Sequence, residues 1–115
     1  MPTDFVKFHP NPAGNVIELL LPQSLDSADF DQLNQSMLKL VQEQARQKWV
    51  IDLTAVTYMG SSMLGMLVYV RQKVKAGGGQ LMLCGMSKPL MAIFRTGCME
   101  RLFTIVKDRH AALSA

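Results

Sequence analysis

Charged residues are scarce in this 115-residue chain, since Asp, Glu, Lys and Arg together make up 18% of it. About a quarter is usual, so part of the surface is expected to be apolar, which favours a protein that binds a partner. The net charge of +3 is modest and the cations are spread along the chain. The basic run at 71–75 fits the end of a helix better than a nucleic-acid contact.

Long apolar runs and cysteine motifs are also missing. No segment reaches the roughly 18 apolar residues that cross a membrane, and the N-terminus lacks the basic-then-apolar pattern of a signal peptide. Cys84 and Cys98 form no metal or redox motif. These absences predict a cytoplasmic protein with reduced thiols and no membrane insertion.

Recognisable catalytic motifs are absent as well. His9 and His110 lie near opposite ends of the chain, and neither has the strand-loop context of a Ser–His catalytic pair. No GxSxG elbow, HExxH, P-loop or dinucleotide-binding glycine pattern occurs. Asp52 is interpreted as a hydrogen-bonded residue near the end of a buried strand rather than as a catalytic acid. The chain is therefore expected to be no enzyme and to hold no metal or cofactor.

The periodicity predicts one domain with the order β-β-α-β-α-β-α, followed by a short edge strand and a last helical turn or two. The five strands are predicted at 5–8, 16–21, 49–53, 80–84 and 103–106, and the second is expected to run antiparallel to the first. Alternating strands and helices predict a mixed, mostly parallel sheet of four to five strands, with helices packed mainly on one face.

Local signals predict where the helices begin and end. Pro22 ends the second strand, and Asp26 or Ser27 caps the first helix. The second helix runs to about residue 76, where three consecutive glycines stop it. Ser87 and Asp108 are predicted to cap the two helices that follow.

The segment WVIDLTAVTYMGSSMLG at 49–65 is the most informative part of the chain. A buried strand runs into a short loop, and the loop places Ser61 and Ser62 at the start of the second helix. A serine there can cap the helix through its oxygen, and the helix start favours a negative group such as phosphate. The segment predicts a modifiable hydroxyl on an exposed turn beside an apolar face.

The second helix carries more apolar surface than one sheet face requires. On a helical wheel its apolar arc spans about 200°, whereas a stripe of roughly 100° is sufficient. The excess is assigned to Met59, Met63 and Met66, together with Met86 from the neighbouring loop. Because methionine adapts to different partners, these side chains are expected to form an exposed docking patch.

The residues from Val50 to Phe103 resemble the STAS domain of bacterial anti-sigma factor antagonists. VIDLTAVTYMGSSMLGML looks like the family's strand, loop and serine-bearing helix, and KAGGGQLMLCGMS looks like its glycine-terminated helix and next strand. FRTGCMERLF resembles the late TG…LF element. GNVIELLLPQSLDSADF is similar, less specifically, to the second strand and first helix start. The resemblance implies a single small STAS-like domain over 1–115.

In that family a serine at the helix start is phosphorylated by a partner kinase, which is also the anti-sigma factor and has a histidine-kinase-like ATPase fold. The unphosphorylated antagonist binds the kinase, the phosphorylated form is released, and a serine phosphatase resets the switch. The resemblance assigns phosphorylation to Ser61, with Ser62 as second choice. The implied partner-binding residues are Met59, Gly60, Ser61, Ser62, Met63, Met66, Met86 and Lys88.

Two positions depart from the family pattern. Gly60 stands where the family commonly has Asp, and Met63 stands where it commonly has Gly. Losing the acid removes a charge and a kinase contact. An alternative therefore stays open, in which the protein is a STAS accessory subunit of a lipid-transport ABC system and binds its ATPase without phosphorylation.

Overall fold

The computed structural model describes residues 5–21, 25–43 and 47–115. Within these ranges lie five strands, four α-helices and one 3₁₀ turn. In chain order they are β1 Val6–His9, β2 Asn15–Leu19, α1 Ser27–Glu43, β3 Lys48–Asp52, α2 Ser61–Ala76, β4 Gln80–Cys84, α3 Lys88–Thr96, the 3₁₀ turn Met99–Arg101, β5 Thr104–Val106 and α4 Arg109–Ser114. Pro22, predicted to end the second strand, lies outside the described residues.

The five strands form one sheet whose order is the chain order, β1-β2-β3-β4-β5. β1 pairs antiparallel with β2, and the other three pairings are parallel. Right-handed crossovers that all step in the same direction place their helices on one face of a sheet. The predicted mixed sheet is therefore confirmed, with α1, α2 and α3 together on what we call the front face.

The front face holds the larger core. Alternate strand residues point to it, including Ile17, Trp49 and Leu83, and all three are fully buried. Phe94 of α3 packs there and meets Phe103 edge to face, with ring centroids 6.0 Å apart. Phe8 of the edge strand stacks on Trp49 at 5.8 Å.

The back face is covered by α4. Its Ala112 packs with Val16, Val50, Met82 and Cys84, which are the strand residues that alternate with those of the front. The Lys48 ammonium donates to the backbone carbonyl oxygens of Ala112 at 2.9 Å and Ala115 at 2.7 Å. A cation is favourable at the C-terminal end of a helix, where carbonyl groups accumulate; the Ala112 carbonyl also accepts the Ala115 N–H at 3.4 Å.

Three of the predicted caps are confirmed. Asp26 accepts a hydrogen bond from the Asp29 backbone N–H at 2.7 Å, and Ser87 Oγ accepts one from the Leu90 N–H at 3.2 Å. Asp108 caps α4 in the same way. These signals are local, because each cap reaches a donor only three residues away.

Candidate functional site

Ser61 is the first residue of α2, and its side chain is exposed. Gly60, not a serine, occupies the N-cap position in an extended conformation, with φ −82° and ψ 176°. No side chain caps this helix in the described part of the chain. The expectation that Ser61 or Ser62 caps α2 through its oxygen is therefore wrong. The expectation fails because α2 begins at Ser61, so both serines lie within the first turn of the helix.

This arrangement leaves donors at the start of α2. The first helical acceptor is the Gly60 carbonyl, which takes the Leu64 N–H at 3.1 Å. The amides of Ser61, Ser62 and Met63 precede that bond, so they have no acceptor within the helix. Together with the helix dipole, they favour an anionic group on or near Ser61.

An open groove of about 520 Å³ runs beside Ser61, between the start of α2 and the start of α1. We call it the serine groove. Its apolar lining consists of Leu21, Leu25, Phe30, Met59 and Met63, and its polar lining includes Asp26, Ser27, Ser61 and Ser62. Tyr58 also lines it, and its side chain is 69% exposed. The predicted hydroxyl thus lies on an accessible rim next to apolar surface.

The predicted methionine patch is wrong. Met59, Met63 and Met66 are 2%, 5% and 4% exposed, and Met86 is half-buried against the same front core. The wheel argument assumed that α2 buries one stripe against the sheet. In the structure α2 packs against α1 as well, so two neighbours cover the wide apolar arc.

Of the eight predicted partner-binding residues, five line the serine groove and three do not. Met59, Gly60, Ser61, Ser62 and Met63 are brought together there. The remaining three, Met66, Met86 and Lys88, are not part of its lining.

Exposed apolar side chains near the serines are different from those predicted. Tyr58 is the most exposed, Tyr69 is 43% exposed, and Leu64 and Val68 of α2 are half-buried. Tyr69 also lies beneath the Lys73 ammonium, 5.3 Å from its ring centroid. Sequence reasoning missed Tyr58, which is exposed between the buried Val56 and Met59.

Asp52 fixes the beginning of the loop that leads to Ser61. Its Oδ1 accepts hydrogen bonds from the Thr54 backbone N–H at 2.9 Å and from the Thr54 hydroxyl. Its Oδ2 accepts from Arg109 Nε at 3.1 Å and Nη2 at 2.9 Å. The prediction of a hydrogen-bonded structural carboxylate is confirmed, and Arg109 is a partner that the sequence did not reveal.

Opposing effects set the pKa of Asp52. Burial by itself raises the pKa of the carboxyl, but the hydrogen bonds from Thr54 and the Arg109 guanidinium outweigh burial and lower it below its ordinary value. The neighbouring thiol behaves oppositely, since burial, with a contribution from the Asp52 charge, raises the pKa of Cys84 to about 12. The carboxylate therefore stays ionised and the thiol stays protonated.

The structure describes residues 5–21, 25–43 and 47–115. These residues contain no group of three or more His, Cys, Asp or Glu side chains placed to hold a metal ion. None of the helices found there combines the length and the apolar character needed to cross a bilayer.

A family model described as the STAS domain matches residues 11–112 of this chain. The chain belongs to the STAS domain family. Its resemblance to that family, first seen in the serine segment and the late glycine-containing segment, is therefore confirmed. The groove, the start of α2 and the exposed Ser61 all lie within the described residues of the matched range 11–112.

Solved structures share this STAS fold. An anti-sigma-factor antagonist (STAS) domain protein from Planctomyces limnophilus is 22% identical, with a TM-score of 0.82 and 95% of each chain covered. RsbS from Moorella thermoacetica is 16% identical, with a TM-score of 0.76, covering 95% of this chain and 92% of its own. The Bacillus cell fate determinant SpoIIAA in the phosphorylated form is 16% identical, with a TM-score of 0.66, covering 92% and 95%.

Proposed function

We propose that this STAS domain is a partner-switching regulator of the anti-sigma factor antagonist type, with no catalytic activity of its own. Unphosphorylated, it binds a serine kinase that is also an anti-sigma factor. Phosphorylation of Ser61 releases it, and a serine phosphatase restores the binding form. The observation that carries the proposal is the exposed Ser61 hydroxyl on the rim of the serine groove. A related STAS protein, SpoIIAA, has a phosphorylated form.

The free protein has the means to accept a phosphate on Ser61. The amides at the start of α2 lie next to that position, and among the described residues no side chain caps them. A phosphate carries about −1.5 to −2 charges at neutral pH, and a helix N-terminus is favourable for such a group. The modification is therefore expected to leave the fold intact.

A docked partner makes the phosphate unfavourable. Covering the serine groove would remove the phosphate from water beside the apolar side chains of Phe30 and Met63. Asp26 lines the same groove and adds a like charge. Burying a poorly paired dianion costs several kcal/mol, and each 1.4 kcal/mol is about tenfold in affinity. Phosphorylation is therefore expected to weaken the affinity for the partner by roughly a factor of 100 or more, without a change of fold.

The proposed contact surface follows the observed exposure. It consists of the groove-lining residues Gly60, Ser61 and Ser62, joined by Tyr58 and by the exposed side of α2 at Tyr69. Met59 and Met63 contribute the groove floor. Met66 is buried and does not line the groove, so it is left out of this surface. Met86, in the loop after β4, and Lys88, the first residue of α3, stay predicted contacts.

Gly60 favours a second candidate function. The acid that commonly precedes the phosphorylated serine in this family is absent, which removes a kinase contact but leaves the docking surface unchanged. A STAS accessory subunit of a lipid-transport ABC system needs such a surface and no phosphate. Nearby genes for a serine kinase or phosphatase support switching, and nearby transporter genes support the accessory role.

The direct test is mass spectrometry of the protein isolated from its own cells. Phosphate on Ser61, or on Ser62, supports switching, and phosphate on neither under any growth condition contradicts it. The second test measures binding to the serine kinase encoded nearest to this gene. The phosphorylated protein and Ser61→Asp are expected to bind at least tenfold more weakly than Ser61→Ala.

A charge-matched control separates the position of the charge from its presence. Ser114→Asp adds the same charge on the exposed end of α4, away from the groove, and is expected to bind like the unmodified protein. Equal affinity of the phosphorylated protein and Ser61→Ala would show that Ser61 does not control docking.

A further inference from the structure

One carboxylate holds the loop that presents Ser61. We define the serine loop as residues 53–60, between β3 and α2. Thr54, at its beginning, gives both its backbone N–H and its hydroxyl to Asp52 Oδ1. The loop then turns back through a hydrogen bond from the Val56 N–H to the Leu53 carbonyl at 2.9 Å. An aspartate that accepts from the backbone two residues ahead is an established way to fix a turn.

The other oxygen of the same carboxylate is bound by a residue on the back face of the sheet. Asp52 Oδ2 accepts two hydrogen bonds from Arg109, the first residue of α4, which packs on the back face. The side chain of Asp52 is 10% exposed and that of Arg109 is 36% exposed, so the carboxylate end of these bonds is sheltered from water. A single residue thus touches both the serine loop and the helix on the far face.

Arg109 also serves a second acid. Glu18 of β2 is the register partner of Asp52 in β3, and Arg109 Nη2 lies 3.5 Å from Glu18 Oε1. His9 of β1 approaches the same Glu18 oxygen at 3.1 Å. If Arg109 leaves, two neighbouring carboxylates lose a shared cation, and their repulsion favours protonation of Asp52 or its rotation toward water.

We infer that Asp52 is a positioning residue that couples α4 to the serine loop, so that release of Arg109 loosens the loop that presents Ser61. Either response of Asp52 weakens the acceptor that holds the Thr54 N–H and hydroxyl. The coupling gives the protein a second control point, since whatever draws Arg109 away from Asp52 also changes how Ser61 is displayed. It rests on the proposed function only for the role of Ser61.

Amide hydrogen exchange of the isolated protein tests the coupling. Arg109→Ala is expected to raise exchange of the Thr54 amide about tenfold, since its hydrogen bond to the charged Asp52 is weakened. Exchange of the Val56 amide is expected to rise with it, because the turn that this amide closes onto the Leu53 carbonyl loosens. The Leu83 amide, in the middle of the sheet, is expected to be unchanged. Arg109→Lys keeps a cation near Asp52 and is expected to restore most of the protection.

A matched variant loosens α4 without touching Asp52. The Lys48 ammonium holds the other end of α4 through the Ala112 and Ala115 carbonyls, and Lys48→Met removes these bonds but keeps an apolar stem. It is expected to speed exchange in α4 and leave the serine loop as in the wild type. Arg101→Ala, at an exposed arginine outside this cluster, is expected to change neither.

Two results would overturn the coupling: unchanged loop exchange in Arg109→Ala, or an equal rise in Lys48→Met. Should Arg109→Ala not fold, Arg109→Gln keeps the side-chain stem and is compared in the same way. The measurement uses neither partner nor phosphate. A protein that shows this coupling but is never phosphorylated in its cells would therefore contradict the proposed function and leave the inference standing.

Discussion

Replacing Gly85 with alanine is expected to destabilise the protein strongly, because the Gly85 backbone lies so close to Asp52 and Thr54 that no room is left for a side chain. Gly85 has φ +74°, a conformation that L side chains rarely adopt. A Cβ there would overlap the Thr54 hydroxyl and lie 3.0 Å from both Asp52 Oδ1 and the Thr54 backbone N. The backbone and the hydrogen-bonded pair must both give way.

Two contributions set the magnitude. Left-handed backbone costs an alanine about 1–2 kcal/mol. Displacing Thr54 weakens hydrogen bonds to a charged acceptor, each worth about 1.5–3 kcal/mol. Gly85→Ala is therefore expected to lower the free energy of unfolding by about 3–5 kcal/mol, a large fraction of a stability of about 5–15 kcal/mol.

The same chemical change at Gly65 has the opposite expected sign. Gly65 is exposed in the middle of α2, and a Cβ there would meet nothing within 4 Å. Since glycine in a helix costs about 0.5–1 kcal/mol relative to alanine, Gly65→Ala is expected to stabilise by that amount. The two variants add the same methyl group and differ in its surroundings and in the backbone conformation of the glycine.

Urea unfolding provides the assay for both variants. Trp49 is the only tryptophan and is fully buried in β3, so its fluorescence reports loss of the core. The slope with urea should stay unchanged, so that shifts in midpoint measure stability. A Gly85→Ala protein within about 1 kcal/mol of the wild type would refute the argument that Asp52 and Thr54 are tightly held.

Three further predictions concern acid stability, thiol reactivity and helix capping. The pKa of Asp52 in the folded protein lies below its ordinary value of 3.8. The ionised carboxylate therefore stabilises the fold fully above pH 3.8, and this stabilisation is lost as the pH falls through the folded pKa. The urea midpoints of the wild type and Asp52→Asn should accordingly converge in acid. In the native protein a thiol reagent should label exposed Cys98 and spare buried Cys84, as mass spectrometry would show, and equal labelling would mean that α4 opens readily. Ser87→Ala should cost about 1 kcal/mol by urea unfolding, whereas Ser62→Ala, which removes no cap, should cost much less.

Most of the fold could be predicted because its signals are local. Alternating apolar segments gave the order of strands and helices, and Ser87 and Asp108 act on donors within one turn of helix. The start of α2 could be placed, but its cap could not. Whether Gly60 or Ser61 takes the N-cap position depends on backbone angles that composition does not fix.

The exposed surface was harder to predict because burial depends on which elements meet. The apolar arc of α2 was recognised correctly, but α2 packs against α1 as well as the sheet, and Met63 and Met66 are buried. Arg109 and Asp52 are 57 residues apart in the chain, so their pairing follows only from the topology. The sequence contained one weak hint. An arginine such as Arg109 in the first turn of a helix interacts unfavourably with the helix dipole, so a nearby acidic side chain is expected.

Keeping chain order in the sheet has a consequence for synthesis on the ribosome. Each strand lies next to the one made just before it, so a new strand can add to an existing edge as soon as its connecting helix has emerged. No strand needs to be inserted between two others that are already paired. The sheet is therefore expected to form from β1 toward β5, and α4 is expected to dock on its back face after β5 has paired.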